Sequence, residues 1–324
     1  MAFAPSLAFI CAGMGLKALG YNLLSGTTEA LTYDSLKTAG RERDYIKVDA
    51  KASIFMKLAS ALGALASLLA GGRKNICVVG DPAQTIYSFA GASSYNLLNF
   101  ASEFGPLTAD VRLNNDYRST PQIVNYANRV LEASPQRADY LKLNSKRDPG
   151  RRVSQTIYNS DLEEARGVAA RIRRLVDEGA SPGDCAILTR VNAQQKILCR
   201  ALGEQHLRYR VKRDSGWQNS ALADDAQTRL AMLEALGAGG DVKGVTISTI
   251  HASKGLEFKH VFLIGCSEGL IPYGSPPEGD LLEEERRLMY VAVTRAEDTL
   301  DVSYARARED DGSDRGRRKS RFFR

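Results

Sequence analysis

Four short segments of this chain combine polar and aromatic side chains suited to phosphate or nucleobase chemistry. The first runs Gly80-Asp81-Pro82-Ala83-Gln84-Thr85-Ile86-Tyr87-Ser88-Phe89-Ala90-Gly91-Ala92. A glutamine just past a strand can orient a water or sense a phosphate, which makes Gln84 a candidate. Tyr87 and Phe89, two apart, could present rings to unpaired bases. The second segment, Asn114-Asn115-Asp116-Tyr117-Arg118-Ser119-Thr120, sets a ring beside a guanidinium at a helix entrance. There Tyr117 could stack on a nucleobase while Arg118 pairs with phosphate. The third, Ile250 to Phe258, carries His251, Ser253 and Lys254 where a nucleic-acid backbone or a phosphate could be held. Its Ser-Lys-Gly order is not a P-loop, because the GxxxxGK[ST] spacing is absent. The fourth, Glu283 to Ala296, ends on Arg295, which could reach a bound triphosphate as an arginine finger. Each has a plainer reading: the rings as core, Gln84 as a turn residue, Tyr117-Arg118 as ordinary surface, and the charge run from Glu283 as a solvated face.

The elements that must position these residues form a regular alternation. Ile76-Cys77-Val78-Val79 reads as a strand buried on both faces, ended by Gly80-Asp81-Pro82, and Val111-Arg112-Leu113 as another. Thr120-Pro121 reads as an N-cap with proline at the first helical position, backed by the stripe Ile123, Ala127, Val130, Leu131. Asp161 and Glu164 have cap-box spacing ahead of a stripe of Val168, Ile172, Leu175 and Val176. Ala186–Leu188, Val245–Thr249 and Val261–Ile264 are strands, residues 192 onward and 283–296 are helical, and Leu300, Val302 and Tyr304 alternate as a last strand. Short apolar strands alternating with amphipathic helices give an α/β fold with a mainly parallel sheet, and in such sheets ligands are expected at the carboxyl ends of the strands.

The 324 residues, 44% hydrophobic and 25% charged, fit a globular protein of two or three domains. The net charge of +6 is matched by the six bases of the last ten residues, Arg315, Arg317, Arg318, Lys319, Arg321 and Arg324, so the rest is balanced. Such a tail reads as a solvated, frayed terminus. Five scattered cysteines and three histidines form no CxxC or HxxxH pair, which excludes a disulfide framework and a zinc pattern. No uncharged apolar run is long enough to span a membrane. Residues 1–24 are apolar but lack a charged n-region, so a cytoplasmic protein is expected. Residues 1–72 are rich in Ala, Leu and Gly and carry no chemical motif.

Taken in order, the four segments resemble superfamily 1A DNA helicases of the UvrD/Rep/PcrA type. GDPAQTIYSFAGA resembles helicase motif III, LNNDYRST motif IV, TISTIHASKGLEF motif V and EEERRLMYVAVTRAED motif VI. The similarity runs from about Asn75 to Tyr304. It implies a RecA-like parallel sheet with flanking helices, the incomplete core of a P-loop NTPase-type helicase: 1–72 unassigned, 73–112 a remnant of the first RecA-like domain, 113–306 the second, and 307–324 a basic tail. The family translocates 3′ to 5′ on single-stranded DNA, driven by hydrolysis of ATP with Mg²⁺, and the resemblance implies DNA-repair chemistry. Carried over residue by residue, Gln84 would couple the γ-phosphate to DNA, Tyr87 and Phe89 would stack on bases, and Tyr117 would stack on adenine. Arg118 and Arg295 would contact the γ-phosphate, Glu257 would bind the ribose, and His251 and Lys254 would sit near DNA.

The departures are equally specific. Ser88 and Ala90 stand where the family often has basic residues, and the stretch from Thr120 to Thr246 is too short for the usual inserted subdomain. No Walker A GKT or GKS and no DExQD pair before Cys77 is present, so no residue of this chain is expected to cradle the β-phosphate or ligate Mg²⁺. The expectation is a shortened helicase holding half of the ATP and single-stranded DNA sites, with a P-loop partner chain as one completion. The alternatives are an inactive helicase-derived fragment and a single-stranded nucleic-acid binding module.

Overall fold

The computed structural model describes residues 77–88, 94–104, 107–212, 244–274, 278–307 and 316–323. Residues 1–72 and Phe89 lie outside them. Of the described residues, Val79–Ile86 and those from Ser94 onward belong to one compact unit; Cys77, Val78, Tyr87 and Ser88 belong to another. The first unit is described below. Its elements in chain order are α1 (Tyr95–Leu98), α2 (Phe100–Phe104), β1 (Asn115–Asp116), α3 (Pro121–Glu132), β2 (Asn144–Ser145), β3 (Ser154–Ser160) and α4 (Asp161–Asp177). They continue as β4 (Cys185–Thr189), α5 (Gln195–Glu204), β5 (Tyr209–Lys212), β6 (Val245–Thr249), β7 (Phe258–Leu263), α6 (Gly279–Val293) and β8 (Ala296–Ala307).

Six of these strands form one sheet in the order β3-β8-β7-β4-β6-β5, every neighbouring pair parallel. Central β4 and β6 bury all five of their residues, as a parallel strand covered on both faces must. One face carries Cys185, Ile187, Val245, Ile247 and Phe262 against Val168, Ala169 and Ile172 of α4 and Leu198 and Leu202 of α5. Alternation sends Ala186, Leu188, Val261 and Leu263 to the other face, where α3 and α6 pack. Each such aliphatic side chain contributes roughly 1.5–3 kcal/mol on burial. No helix among the described residues is long and apolar enough to cross a membrane.

The connection that shapes the site is the return from β6 to β7. Both strands neighbour β4 in parallel, so residues 250–257 must carry the chain from the carboxyl end of the sheet back to its amino end. They do it without a helix: Ile250 N–H donates to Thr189 O (2.9 Å), Ser253 Oγ to Ile250 O (2.7 Å) and Leu256 N–H to Ser253 O (2.9 Å). Gly255 turns the chain at φ +85°, a left-handed conformation in which a Cβ is disfavoured.

Several sequence expectations are corrected. Cys77–Val79 and Val111–Leu113 form no strand and are exposed, Val79 at 83% and Val111 at 73%. A buried parallel strand exists only between neighbours, and none of the described strands lies beside either run. Helix α4 is capped one residue earlier than expected. Ser160 Oγ accepts from Glu163 N–H (3.1 Å) and Glu163 reaches back to Asn159 N–H (2.8 Å), which releases Glu164 into the interior. The charge run of α6 is not a solvated face, since Glu283, Glu285 and Arg286 are all buried. Arg286 Nε donates to both oxygens of Glu283 (3.1 Å each), and its Nη1 to Val130 O of α3 (3.1 Å). Nor is the basic tail frayed over its described residues 316–323. Ser320 N–H donates to Cys266 O (2.9 Å), Arg321 pairs with Glu268 (2.7 Å), and Phe322 and Phe323 are buried. The Arg286 guanidinium lies 5.2 Å from the Phe322 ring centre, and Tyr304 meets Phe323 edge-on at 5.7 Å.

The described cysteines are free thiols, and burial pushes Cys185 up to about 12 and Cys199 to about 11. Glu164 accepts from Gly265 N–H (3.1 Å) and Ser303 Oγ (2.6 Å), yet burial outweighs both bonds and raises its pKa above the usual 4.5. A carboxyl whose folded pKa exceeds its unfolded one stabilises fully below the unfolded value and loses that contribution as pH rises through the folded value.

Two measurements test this packing. Phe322→Ala should cost about 3 kcal/mol in urea unfolding, whereas a frayed tail would cost nothing. Glu164→Gln, whose amide oxygen can take both donors, should be at least as stable as the parent near pH 8. Its advantage should vanish as pH falls to the unfolded carboxyl value of 4.5; a deficit that is the same at both pH values would refute the buried-carboxyl account.

Candidate functional site

Arg118 is positioned by the turn that opens α3. Asp116 Oδ1 accepts from Arg118 N–H (2.7 Å) and Ser119 N–H (2.8 Å), a local side-chain-to-backbone turn. Ser119 Oγ then donates to Ala296 O (2.7 Å) and Thr120 N–H to Glu297 O (3.0 Å), which docks the turn on the start of β8. Arg147 locks the pair by donating to Arg118 O (2.7 Å) and to Asp298 Oδ1 (2.8 Å). So held, the Arg118 guanidinium forms an ion pair with Glu257, and its Nη1 lies 3.5 Å from Thr294 O. The neighbouring Tyr117 ring is 74% exposed.

Arg295 follows α6 and is buried. Its Nε donates to Val291 O (3.0 Å), Nη1 to Leu256 O (3.0 Å) and Nη2 to Thr294 Oγ1 (3.2 Å). Its carbonyl accepts from Phe258 N–H (2.9 Å), so both neighbours of Glu257 are bound to one arginine. Burial, and then the charge of Arg118, lower the pKa of Arg295. Tyr290 is buried in the same neighbourhood, and burial with the nearby Asp81 and Asp116 charges raises its hydroxyl pKa.

The Asp81–Ile86 turn completes the group. Asp81 Oδ1 caps Ala83 N–H (2.9 Å) and its Oδ2 accepts from the Gln84 side chain (2.8 Å). Lys254 Nζ donates to Gln84 O (2.9 Å) and Arg287 Nε to Thr85 O (2.8 Å), tying the turn to the crossover and to α6. Burial and then the charge of Arg295 lower the pKa of Lys254.

Gln84, Arg118, Lys254, Glu257 and Arg295 are thereby gathered in one cluster, with Tyr117 adjoining it. His251 is half-buried in the crossover, two residues past β6. Tyr87 is half-buried and belongs to the other unit of the chain, and Phe89 lies outside the described residues. Glu257 and Arg295 immediately precede β7 and β8, and so lie at the amino ends of those strands. Asp81, Asp116, Arg147 and Tyr290 were not singled out from the sequence. Only the two aspartates left a signal, as turn-forming residues before Pro82 and Tyr117.

Two adjacent guanidiniums with one carboxylate between them form a cationic patch suited to phosphoryl oxygens. A divalent metal has no such counterpart: no group of three or more His, Cys, Asp or Glu among the described residues is placed to hold one. The residues present therefore suit a nucleotide's phosphates.

Residues 111–216 and 226–307 match the UvrD-like helicase C-terminal domain family, and residues 58–105 match the UvrD/REP helicase N-terminal domain. ATP-dependent DNA helicase UvrD2 of Mycobacterium tuberculosis is 35% identical over 78% of this chain and 46% of its own length. DNA helicase II of Escherichia coli is 28% identical over 79% of this chain and 55% of its own. ATP-dependent DNA helicase PcrA of Staphylococcus aureus is 24% identical over 93% and 60%. The chain thus spans about half the length of the curated relatives it matches.

The two arginines should separate in a stability assay. Arg295→Ala removes a buried charged donor from the Leu256 and Val291 carbonyls and should cost about 2 kcal/mol in chemical denaturation. Arg118→Ala breaks a pair whose side chains are 38% and 42% exposed and should cost less than about 1 kcal/mol. Equal losses would mean that Arg295 is not the internal strut described above.

Proposed function

The chain belongs to the UvrD-like helicase C-terminal domain family, and from that premise we propose that it carries the arginine half of an ATP site in a 3′-to-5′ DNA helicase or translocase. The observation that carries this reading is the convergence of Arg118, Glu257 and Arg295 beside the exposed Tyr117 ring. Tyr117 stacks on the base, Glu257 takes the ribose hydroxyls, and Arg118 binds the terminal phosphate. Arg295, anchored by its own helix, adds a second charge where negative charge accumulates in phosphoryl transfer. Gln84, oriented by Asp81, links this cluster to the nucleic-acid contacts of His251 and Lys254, with Tyr87 and Phe89 as stacking rings. The DNA is single-stranded or a junction, and the setting is cytoplasmic DNA repair.

The sequence has no GxxxxGK[ST], so the β-phosphate cradle and the Mg²⁺ ligands come from elsewhere, another chain or a further segment of the same polypeptide. The same missing lysine favours a second reading, a single-stranded-DNA binding module without hydrolysis.

The deciding experiment measures ATP hydrolysis by the purified chain, with and without single-stranded DNA, together with binding of a fluorescent ATP analogue. Expected are no DNA-stimulated turnover and analogue binding that weakens about tenfold in Arg118→Ala, the effect of one charge-assisted contact. DNA-stimulated turnover would overturn the half-site reading. DNA binding without analogue binding would leave the binding module.

A further inference from the structure

The sheet ends on one side at β3, which pairs with β8 and, among the described residues, with no other strand. An open edge offers its backbone groups to any passing strand, and proteins ordinarily blunt such edges with charge, proline, a bulge or brevity. The opposite edge follows that pattern: β5 has four residues, two of them Arg210 and Lys212. Strand β3 does not. It runs seven residues, Ser-Gln-Thr-Ile-Tyr-Asn-Ser, without a charge, proline or glycine and in unbroken register with β8. On the face that meets α4, Arg171 donates to Ser154 Oγ (3.0 Å) and Thr156 Oγ1 (3.1 Å), which holds the strand in place. Ile157, at its middle and on the other face, is 47% exposed. Asn159 N–H is already taken by Glu163 (2.8 Å), which leaves the centre of the strand as the segment able to pair.

This strand reads nearly alike in both directions. Antiparallel pairing with its own copy about Ile157 sets Ile157 on Ile157, Gln155 on Asn159, Thr156 on Tyr158 and Ser154 on Ser160. Those are one apolar pair, one amide pair and two hydroxyl pairs, with no like charges opposed. Where the strand stops, the charges become complementary. Exposed Arg151 and Arg152 precede it, and Asp161 and Glu163 follow it, so the same axis carries the basic end of one copy to the acidic end of the other. We propose that two copies of this chain associate through β3, antiparallel about a two-fold axis at Ile157, which joins their six-stranded sheets into one. A second copy is the occupant because both the side-chain pairs and the flanking charges are self-complementary. Such an isologous contact closes on itself and stops at a dimer. It stands apart from the Arg118 cluster, which lies at the starts of β7 and β8.

The test is sedimentation equilibrium of the full chain over a concentration series, in which a monomer–dimer equilibrium is expected. Ile157→Lys opposes two ammonium groups at the axis and should weaken dimerisation about tenfold, whereas Ile157→Val should leave it unchanged. Melting at dilution, where both proteins are monomeric, should be the same for Ile157→Lys and the parent, which separates the effect from misfolding. A second arm reads the register in a Cys11→Ser, Cys77→Ser background with oxidised glutathione. Ile157→Cys should form a disulfide-linked dimer, because directly opposed residues lie within bridging distance. Gln155→Cys should not, since its two copies stand roughly 13 Å apart along the strands. A chain that stays monomeric throughout would overturn the proposal. So would a dimer indifferent to Ile157→Lys, or one that Gln155→Cys cross-links as readily as Ile157→Cys.

Discussion

Arg295 holds the start of β7 and the start of β8 together through opposite ends of one residue. Its carbonyl takes the Phe258 amide while its side chain donates to the Leu256 carbonyl, so the residue between them, Glu257, has little freedom to move. Glu257 in turn receives Arg118, whose own turn is docked on β8 by Ser119 and Thr120. The candidate nucleotide cluster thus depends on a buried guanidinium acting first as a structural strut. Such a group is costly to desolvate, and three hydrogen bonds to oxygen are what make its burial tolerable.

Helix α6 distributes the same kind of constraint through the rest of the unit. Its charged first turns read as solvent-facing, but Glu283 and Arg286 tie it to α3 and to the tail, and Glu285 fixes Arg190 and Tyr273. Arg287 holds the Asp81–Ile86 turn through Thr85. Buried ion pairs of this kind add little net stability over apolar packing, and breaking one partner is expensive because the other is left uncompensated. Their effect here is positional: four charges between Glu283 and Arg287 on one helix set where loops from distant parts of the chain come to rest.

The sheet consequently presents two chemically different ends. At the amino ends of β7 and β8 lie paired cations suited to phosphate; at the carboxyl end of β4 the Arg190 guanidinium, paired with Glu285, lies over the Tyr273 ring. The uninterrupted crossover 250–257 is the physical link between them, since it leaves one end beside Thr189 and arrives at the other beside Arg295.

Much of this was legible from residue order. β6 coincides with the apolar run Val245–Thr249, α3 starts at Pro121, and the segments around Gln84, Tyr117, Lys254 and Arg295 do meet. Alternation, capping residues and motif spacing are local properties, and local properties survive in a sequence. Burial is not local. Whether Cys77–Val79 is a strand depends on neighbours that those residues do not specify, and Glu164 differs from Glu163 only in which side of α4 meets the sheet. The tail read as frayed from its bases, and only the fold supplies the Arg286 face that meets Phe322 and the Tyr304 ring that meets Phe323. The sequence by itself determined the family and the parallel α/β class, and it named most of the residues that gather around Arg118. Tertiary structure alone decided which arginine is buried and which stays half-exposed, because burial follows from contacts between residues far apart in the chain.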